Sequence, residues 1–97
     1  MESLYHRLKD GEKVPPNFTG VVMYPAGDKV WYLNGERHRI GNPAMITRTN
    51  TRFWFERDRY HRIDGAAVEW NDGGKWFYLD GIRFTEEDYW NDPRTGI

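Results

Sequence analysis

Short apolar and aromatic runs alternate with polar, turn-forming segments along most of the chain. Val21-Val22-Met23-Tyr24 is followed by Pro25-Ala26-Gly27-Asp28-Lys29 and then by Val30-Trp31-Tyr32-Leu33. Further on, Phe53-Trp54-Phe55-Glu56 forms a second aromatic run, and Asn71-Asp72-Gly73-Gly74 leads into a third, Trp76-Phe77-Tyr78-Leu79. Four-residue runs rich in β-branched and aromatic side chains, bounded by turn formers, predict β-strands. Asn34-Gly35 and Asp80-Gly81 sit where two-residue hairpin turns are expected. A type I′ turn needs positive φ at both central residues, which Asn or Asp followed by Gly tolerates. Arg57-Asp58 stands at the corresponding place in the middle run and fits that geometry poorly, which predicts a longer turn or a distorted strand. The preceding loop, Arg48-Thr49-Asn50-Thr51-Arg52, has no glycine and is the weakest of its kind.

These runs share one spacing. His38-Arg39-Ile40 returns as His61-Arg62-Ile63, 23 residues on. At that offset Trp31, Trp54 and Phe77 align, as do Tyr32, Phe55 and Tyr78, and Gly35 matches Gly81 across Asp58. Val22, Met45 and Val68 align upstream. No gap is needed over about 65 residues, and internal repetition at such a period marks a repeat architecture. The expected fold is mostly β: an antiparallel β-hairpin repeat sheet of three 23-residue units, with short helices at both ends. One domain is expected over 1–97. It divides into an N-terminal helix and linker (1–17), three hairpins (18–84), and a C-terminal helix and tail (85–97). Ser3 is the expected cap of the first helix, which would carry Leu4, Tyr5 and Leu8 and stop at Gly11 before Pro15-Pro16. Thr85 is the expected cap of the second. Glu86, Glu87 and Asp88 fill its positive first turn, and Phe84 is placed to pack on Tyr89.

Composition narrows the function classes. Aromatic residues make up 16% of the 97, which argues against disorder. There is no Cys, so disulfides, thiolate zinc sites and thiol catalysis are excluded. No segment is long and apolar enough to span a bilayer, and the start of the chain does not read as a signal peptide. A soluble, cytoplasmic protein without cofactor or metal is expected. The net charge of −1 conceals an asymmetry: residues 36–62 sum to +4 and residues 63–97 to −5. A global pull on nucleic acid is absent, but a local basic face is expected.

The segment Trp31–Ala44, Trp-Tyr-Leu-Asn-Gly-Glu-Arg-His-Arg-Ile-Gly-Asn-Pro-Ala, resembles the W-Y-x-N-G-x-x-H-R-x-x-G-P-A repeats of small bacteriophage and large-DNA-virus proteins. Those repeats are distantly similar to MORN-type β-hairpins. The similarity covers roughly residues 18–90 and implies an antiparallel hairpin array, with no activity common to the family. The chain departs from the pattern at Asn42, at Ala66 in place of Pro, at Arg57-Asp58 in place of Asn-Gly, and at Phe84 in place of His. The setting that the resemblance implies is an infected bacterium. There a small protein without a catalytic constellation would bind and block a host protein complex, such as a defence (for example CRISPR) system.

The sharpest functional candidate is Thr47–Arg62, where Arg48, Arg52, Arg57, Arg59 and Arg62 interleave with Phe53, Trp54, Phe55 and Tyr60. Arg and aromatic residues are enriched at binding hot spots. Strand alternation puts Phe53 and Phe55 on one face and Trp54 on the other, so both faces carry rings. The expected partner-binding set is Arg52, Trp54, Arg57, Arg59 and Tyr60, acting by steric occlusion of a host protein, with an edge-to-edge homodimer as a possible aid. The same mixture suits single-stranded nucleic acid, a less favoured partner. A small hydrolase using His38 and His61 is a further alternative, but no recurring carboxylate orients those rings. The recurring residues Trp31, Gly35, His38, Arg39, His61, Arg62 and Gly81 are expected to serve the repeat itself. In this reading each His bonds the backbone of the following loop, and each Arg stacks on the next unit's Trp.

Overall fold

The computed structural model describes residues 5–95. Among the described residues eleven short strands and one helix follow one another. The strands are β1 (Tyr5–Arg7), β2 (Gly20–Met23), β3 (Lys29–Leu33), β4 (Glu36–Arg37), β5 (Met45–Ile46), β6 (Arg52–Phe53), β7 (Phe55–Glu56), β8 (Arg59–Tyr60), β9 (Val68–Glu69), β10 (Lys75–Leu79) and β11 (Ile82–Phe84), and α1 (Glu86–Asn91) closes the series. The main sheet runs β1-β2-β3-β5-β6-β9-β10-β11, with β4 paired to β3, while β7 and β8 form a separate hairpin. All pairs are antiparallel except β1 with β2. The molecule is elongated, 42 × 27 × 22 Å.

The same backbone bonds return at three places along the length. Tyr24, Thr47 and Trp70 each donate N–H to the carbonyl four residues ahead, at 2.8–2.9 Å. The residue that turns each of these loops has positive φ: Gly27 (104°), Asn50 (67°) and Gly73 (96°). Asn tolerates the left-handed region better than most side chains, so the loop without glycine closes like the others. Across the strands, Trp31 donates to Ala44 O and Trp54 to Ala67 O, both at 2.7 Å. Three hairpin turns also lean on what precedes them. Gly35 N–H bonds Phe18 O at 2.9 Å, Asp58 N–H bonds Arg37 O at 2.9 Å, and Gly81 N–H bonds Tyr60 O at 2.8 Å.

The Arg57-Asp58 turn is not longer than the other two. Glu56 pairs with Arg59, leaving two residues between, and both have positive φ, 52° and 68°. Tertiary bonds hold the conformation: Arg57 N–H reaches the His38 ring and Asp58 N–H the Arg37 carbonyl. The strand leading into it is interrupted, since β6 and β7 are separated at Trp54. β3 stays continuous because β2 flanks it at four positions, from Tyr32 to Lys29. β5 flanks only Arg52 and Phe53.

The expected N-terminal helix is not present at Tyr5–Arg7. Those residues form β1, paired in parallel register with Val21–Met23. The unpaired edge of β2 is satisfied this way, and Leu8 extends the contact by donating N–H to Met23 O at 2.8 Å while burying its side chain. Gly11, at φ 79°, lies in a turn rather than at a helix end. Ser3 and Leu4, the expected start of that helix, lie outside the described residues.

At the other end α1 forms where expected. The Thr85 hydroxyl caps it by accepting from Asp88 N–H, and three acids occupy its first turn. It packs Tyr89 into a cluster with Ala66, Phe77 and Leu79, with Phe84 against it. Tyr89 and Leu79 are fully buried, each contributing about 1.5–3 kcal/mol of apolar burial. No helix among the described residues is long and apolar enough to cross a membrane.

Candidate functional site

Residues paired in register share a face, so the sheet can be read as two surfaces and an edge. On the first surface the rings of Trp31 and Trp54 are each covered by a guanidinium. Arg39 lies 3.9 Å from the Trp31 centroid and Arg62 lies 3.9 Å from that of Trp54. Each Arg also donates Nη1 to a carbonyl four residues on, Pro43 O at 3.2 Å and Ala66 O at 3.0 Å. The stacks therefore lie on the preceding Trp, eight residues back, and not on the next one along the chain. The reason is the chain path: the loop after each His-Arg pair folds back over the strand that precedes it. Burial in its stack lowers the Arg39 guanidinium pKa.

Arg62 is pinned further by Asp64 at 2.9 Å and Glu69 at 3.0 Å, and the other Glu69 oxygen takes Arg52 at 3.1 Å. Trp54 is left 8% exposed under this network. Between the two loops lies a cleft of about 190 Å³ lined by Arg39, Trp54, Glu56 and His61, with the exposed Ile40 and Ile63 at its rim. On the third aromatic strand, Tyr89 and Trp90 of α1 take the place of a guanidinium over Phe77, at 4.8 and 6.2 Å.

His38 and His61 occupy matching positions. Each Nδ1 accepts a backbone N–H at 2.9 Å, from Arg57 and Asp80 respectively. A backbone amide can only donate, so both rings carry their proton on Nε2. The Asp80 carboxylate also stands 3.4 Å from His61 Nδ1, but the shorter amide bond assigns that nitrogen as acceptor. Both imidazoles thus fasten the turn of the following hairpin.

The second surface is aromatic. Phe53, Val68 and Trp76 are consecutive register partners, and Phe55 pairs with Tyr60. Tyr60 stacks on Phe55 at 4.6 Å and lies 4.9 Å from Tyr78. Trp70 meets Phe53 edge-on at 6.1 Å and Trp76 at 5.4 Å. Guanidinium groups lie over this surface too, Arg37 at 4.2 Å from Phe55 and Arg83 at 4.3 Å from Trp76. Phe55 is buried, Phe53, Tyr60, Trp70 and Tyr78 are half-buried, and Trp76 is 38% exposed. The Tyr24 and Tyr32 hydroxyls share a hydrogen bond of 2.6 Å farther along, beside a shallow cavity reaching Arg37 and Met45. Burial raises the pKa of Tyr60 and of Tyr32, the latter helped by its bond to Tyr24.

The edge carries the hairpin turns. Asp58 Oδ1 binds Arg37 through Nε at 2.5 Å and through the backbone N–H at 3.1 Å. Burial pushes the Asp58 carboxyl up, and the two Arg37 bonds with the charge beside them outweigh this and leave it below the ordinary value. Arg57 and Arg59 are exposed, and neither forms an ion pair or covers a ring among the described residues. The Arg59 stem lies 3.6–3.7 Å from the position a Cβ on Gly81 would take.

The five residues expected to bind a partner do not converge on one surface. Arg52 and Trp54 lie on the first face, engaged by Glu69 and Arg62. Tyr60 lies on the aromatic face. Arg57 and Arg59 project from the edge. Sequence reading missed Trp70, Trp76, Tyr78 and Arg83, which join Tyr60. Alternation within Trp76-Phe77-Tyr78 carried that signal, because it puts Trp76 and Tyr78 on the face opposite Phe77. No family model matches the chain, and comparison with curated proteins and with solved structures gives no match.

Proposed function

We propose that this chain is a non-enzymatic protein-binding module, a three-unit β-hairpin array that docks through its aromatic face and arginine edge and acts by occlusion. The carrying observation is the run of half-covered rings from Tyr60 and Tyr78 through Phe53 to Trp70 and Trp76. A contiguous, partly exposed aromatic surface of this kind on a small protein supports a partner site, and Trp, Tyr and Arg dominate binding hot spots. The bonds recurring at 23-residue spacing support the array reading. The resemblance of Trp31–Ala44 to phage repeats supports a host protein complex as the partner and the host cytoplasm as the setting. The hydrolase alternative is disfavoured because both His Nδ1 atoms already fasten backbone amides.

The test is capture from a bacterial lysate by wild-type protein and by Trp76→Ser, with mass spectrometry and light scattering of the complex. One polypeptide held stoichiometrically by the wild type and released by Trp76→Ser, with the variant still folded, is the expected result. Capture of nothing, or equal capture by both proteins, refutes the reading. Loss of the complex with a steep salt slope and nucleic acid in the eluate points to single-stranded nucleic acid instead.

A further inference from the structure

Six non-glycine residues among those described have positive φ: Asn17, Asn34, Asn50, Arg57, Asp58 and Asp80. Five are Asn or Asp, whose short polar side chains tolerate that region, and Arg57 is the exception. Nothing in the fold needs an arginine there. The bond to His38 uses the Arg57 backbone N–H, which any residue but proline supplies. The side chain is exposed, and among the described residues it has no ion pair and no ring beneath it. Arg37, Arg39, Arg52, Arg62, Arg83 and Arg94 are each tied to a carboxylate or lie over a ring, and Arg7 and Arg48, which like Arg57 do neither among the described residues, are not at positive φ. Strain retained without a structural return marks a functional position.

Arg59 stands two residues on, equally unpaired. Glu56 is opposite it in register without forming an ion pair, and the Asp58 carboxylate is committed to Arg37. The structure therefore assigns the Arg57–Arg59 turn as a docking point for carboxylates on an acidic segment of a protein partner. This inference rests on the binding-module reading and supplies the chemistry of one contact within it. A protein segment is favoured over a phosphate backbone because the turn acids Asp58 and Asp80 stand on the same edge. Phosphates fixed along a nucleic-acid backbone would meet those acids as well as the two guanidinium groups, whereas carboxylates on flexible side chains can turn away from the acids and address Arg57 and Arg59.

The probe is hexaglutamate, titrated into ¹⁵N-labelled protein while the Arg Nε–H and backbone signals are followed, with hexalysine and a ten-residue oligothymidylate as comparators. Saturable shifts confined to Arg57, Arg59 and their turn are expected with hexaglutamate, and weaker ones with the oligonucleotide. Arg57→Asn should weaken hexaglutamate binding about three-fold, the scale of an exposed ion pair, and raise the melting temperature by relieving the turn. Shifts spread evenly over the cationic surface, tighter binding of the oligonucleotide, unchanged binding by Arg57→Asn, or no gain in its melting temperature would each overturn the assignment. Failure here, with Trp76→Ser still releasing the captured polypeptide, removes only this contact. Failure of wild-type capture removes the module reading itself.

Discussion

Replacing Tyr89 by Phe removes one oxygen from the best-buried aromatic side chain of the molecule. The Tyr89 hydroxyl donates to Arg62 O and accepts from Gly65 N–H at 3.1 Å. It thus ties α1 to the loop that carries Arg62 over Trp54. The ring has no exposed surface, so water has little room to replace the oxygen. Phe would keep the contacts with Phe77 and Trp90 but leave a donor and an acceptor without partners. Stranding buried polar groups costs about 1–3 kcal/mol, and the double bond places this site near ~2 kcal/mol. For a domain of this size, that lowers the melting temperature by about 10 °C. Circular dichroism melts and urea titration measure it, with the m-value expected to stay constant. Tyr24→Phe is the control: its hydroxyl bonds Tyr32 on a half-open surface, and its loss should cost under ~0.5 kcal/mol. A Tyr89→Phe melt within about 2 °C of wild type would refute the claim that this hydroxyl bridges helix and loop.

Gly65→Ala places a Cβ 2.8 Å from the Arg62 Cζ, a group pinned by Trp54, Asp64, Ala66 and Glu69. A loss of about 1–3 kcal/mol in urea unfolding is expected, whereas a neutral effect would show that the guanidinium is free to move. Alkaline pH should destabilise the fold. The pKa values of Tyr32, Tyr60 and Tyr89 are raised by burial. A raised folded-state pKa contributes stability that is complete below the unfolded value near 10 and is lost as pH rises through the folded one. Melting temperatures falling from pH 9.5 to 12, in step with tyrosinate absorbance, are expected; a flat profile would contradict the buried phenols.

The strands and the second helix were legible because their signals are local. Val30–Leu33 and Trp76–Leu79 announce themselves by β-branched and aromatic content, and Thr85 by the acids that follow it. The misread places depend on distant partners. Tyr5–Arg7 pairs with Val21–Met23, so an edge in need of hydrogen bonds overrides the helical look of the N-terminus. Arg57-Asp58 adopts a turn its residue types disfavour because Arg37 and His38 hold it. The candidate surface was partly legible. The middle segment supplies Tyr60, Arg57 and Arg59, but Trp70, Trp76 and Tyr78 join them only through the register β6-β9-β10.

The bonds that seat the three turns run from turn amides to the preceding segment, to the carbonyls of Phe18, Arg37 and Tyr60 and to the side chains of Thr19, His38 and His61. On the turn's side every donor is a backbone N–H, so these bonds are indifferent to the turn's own side chains wherever the backbone conformation can be met. Asn-Gly, Arg-Asp and Asp-Gly occupy those seats in one molecule. The scaffold thereby separates what joins neighbouring hairpins from what each hairpin displays, so a tip can be rewritten as a cassette without renegotiating its joints.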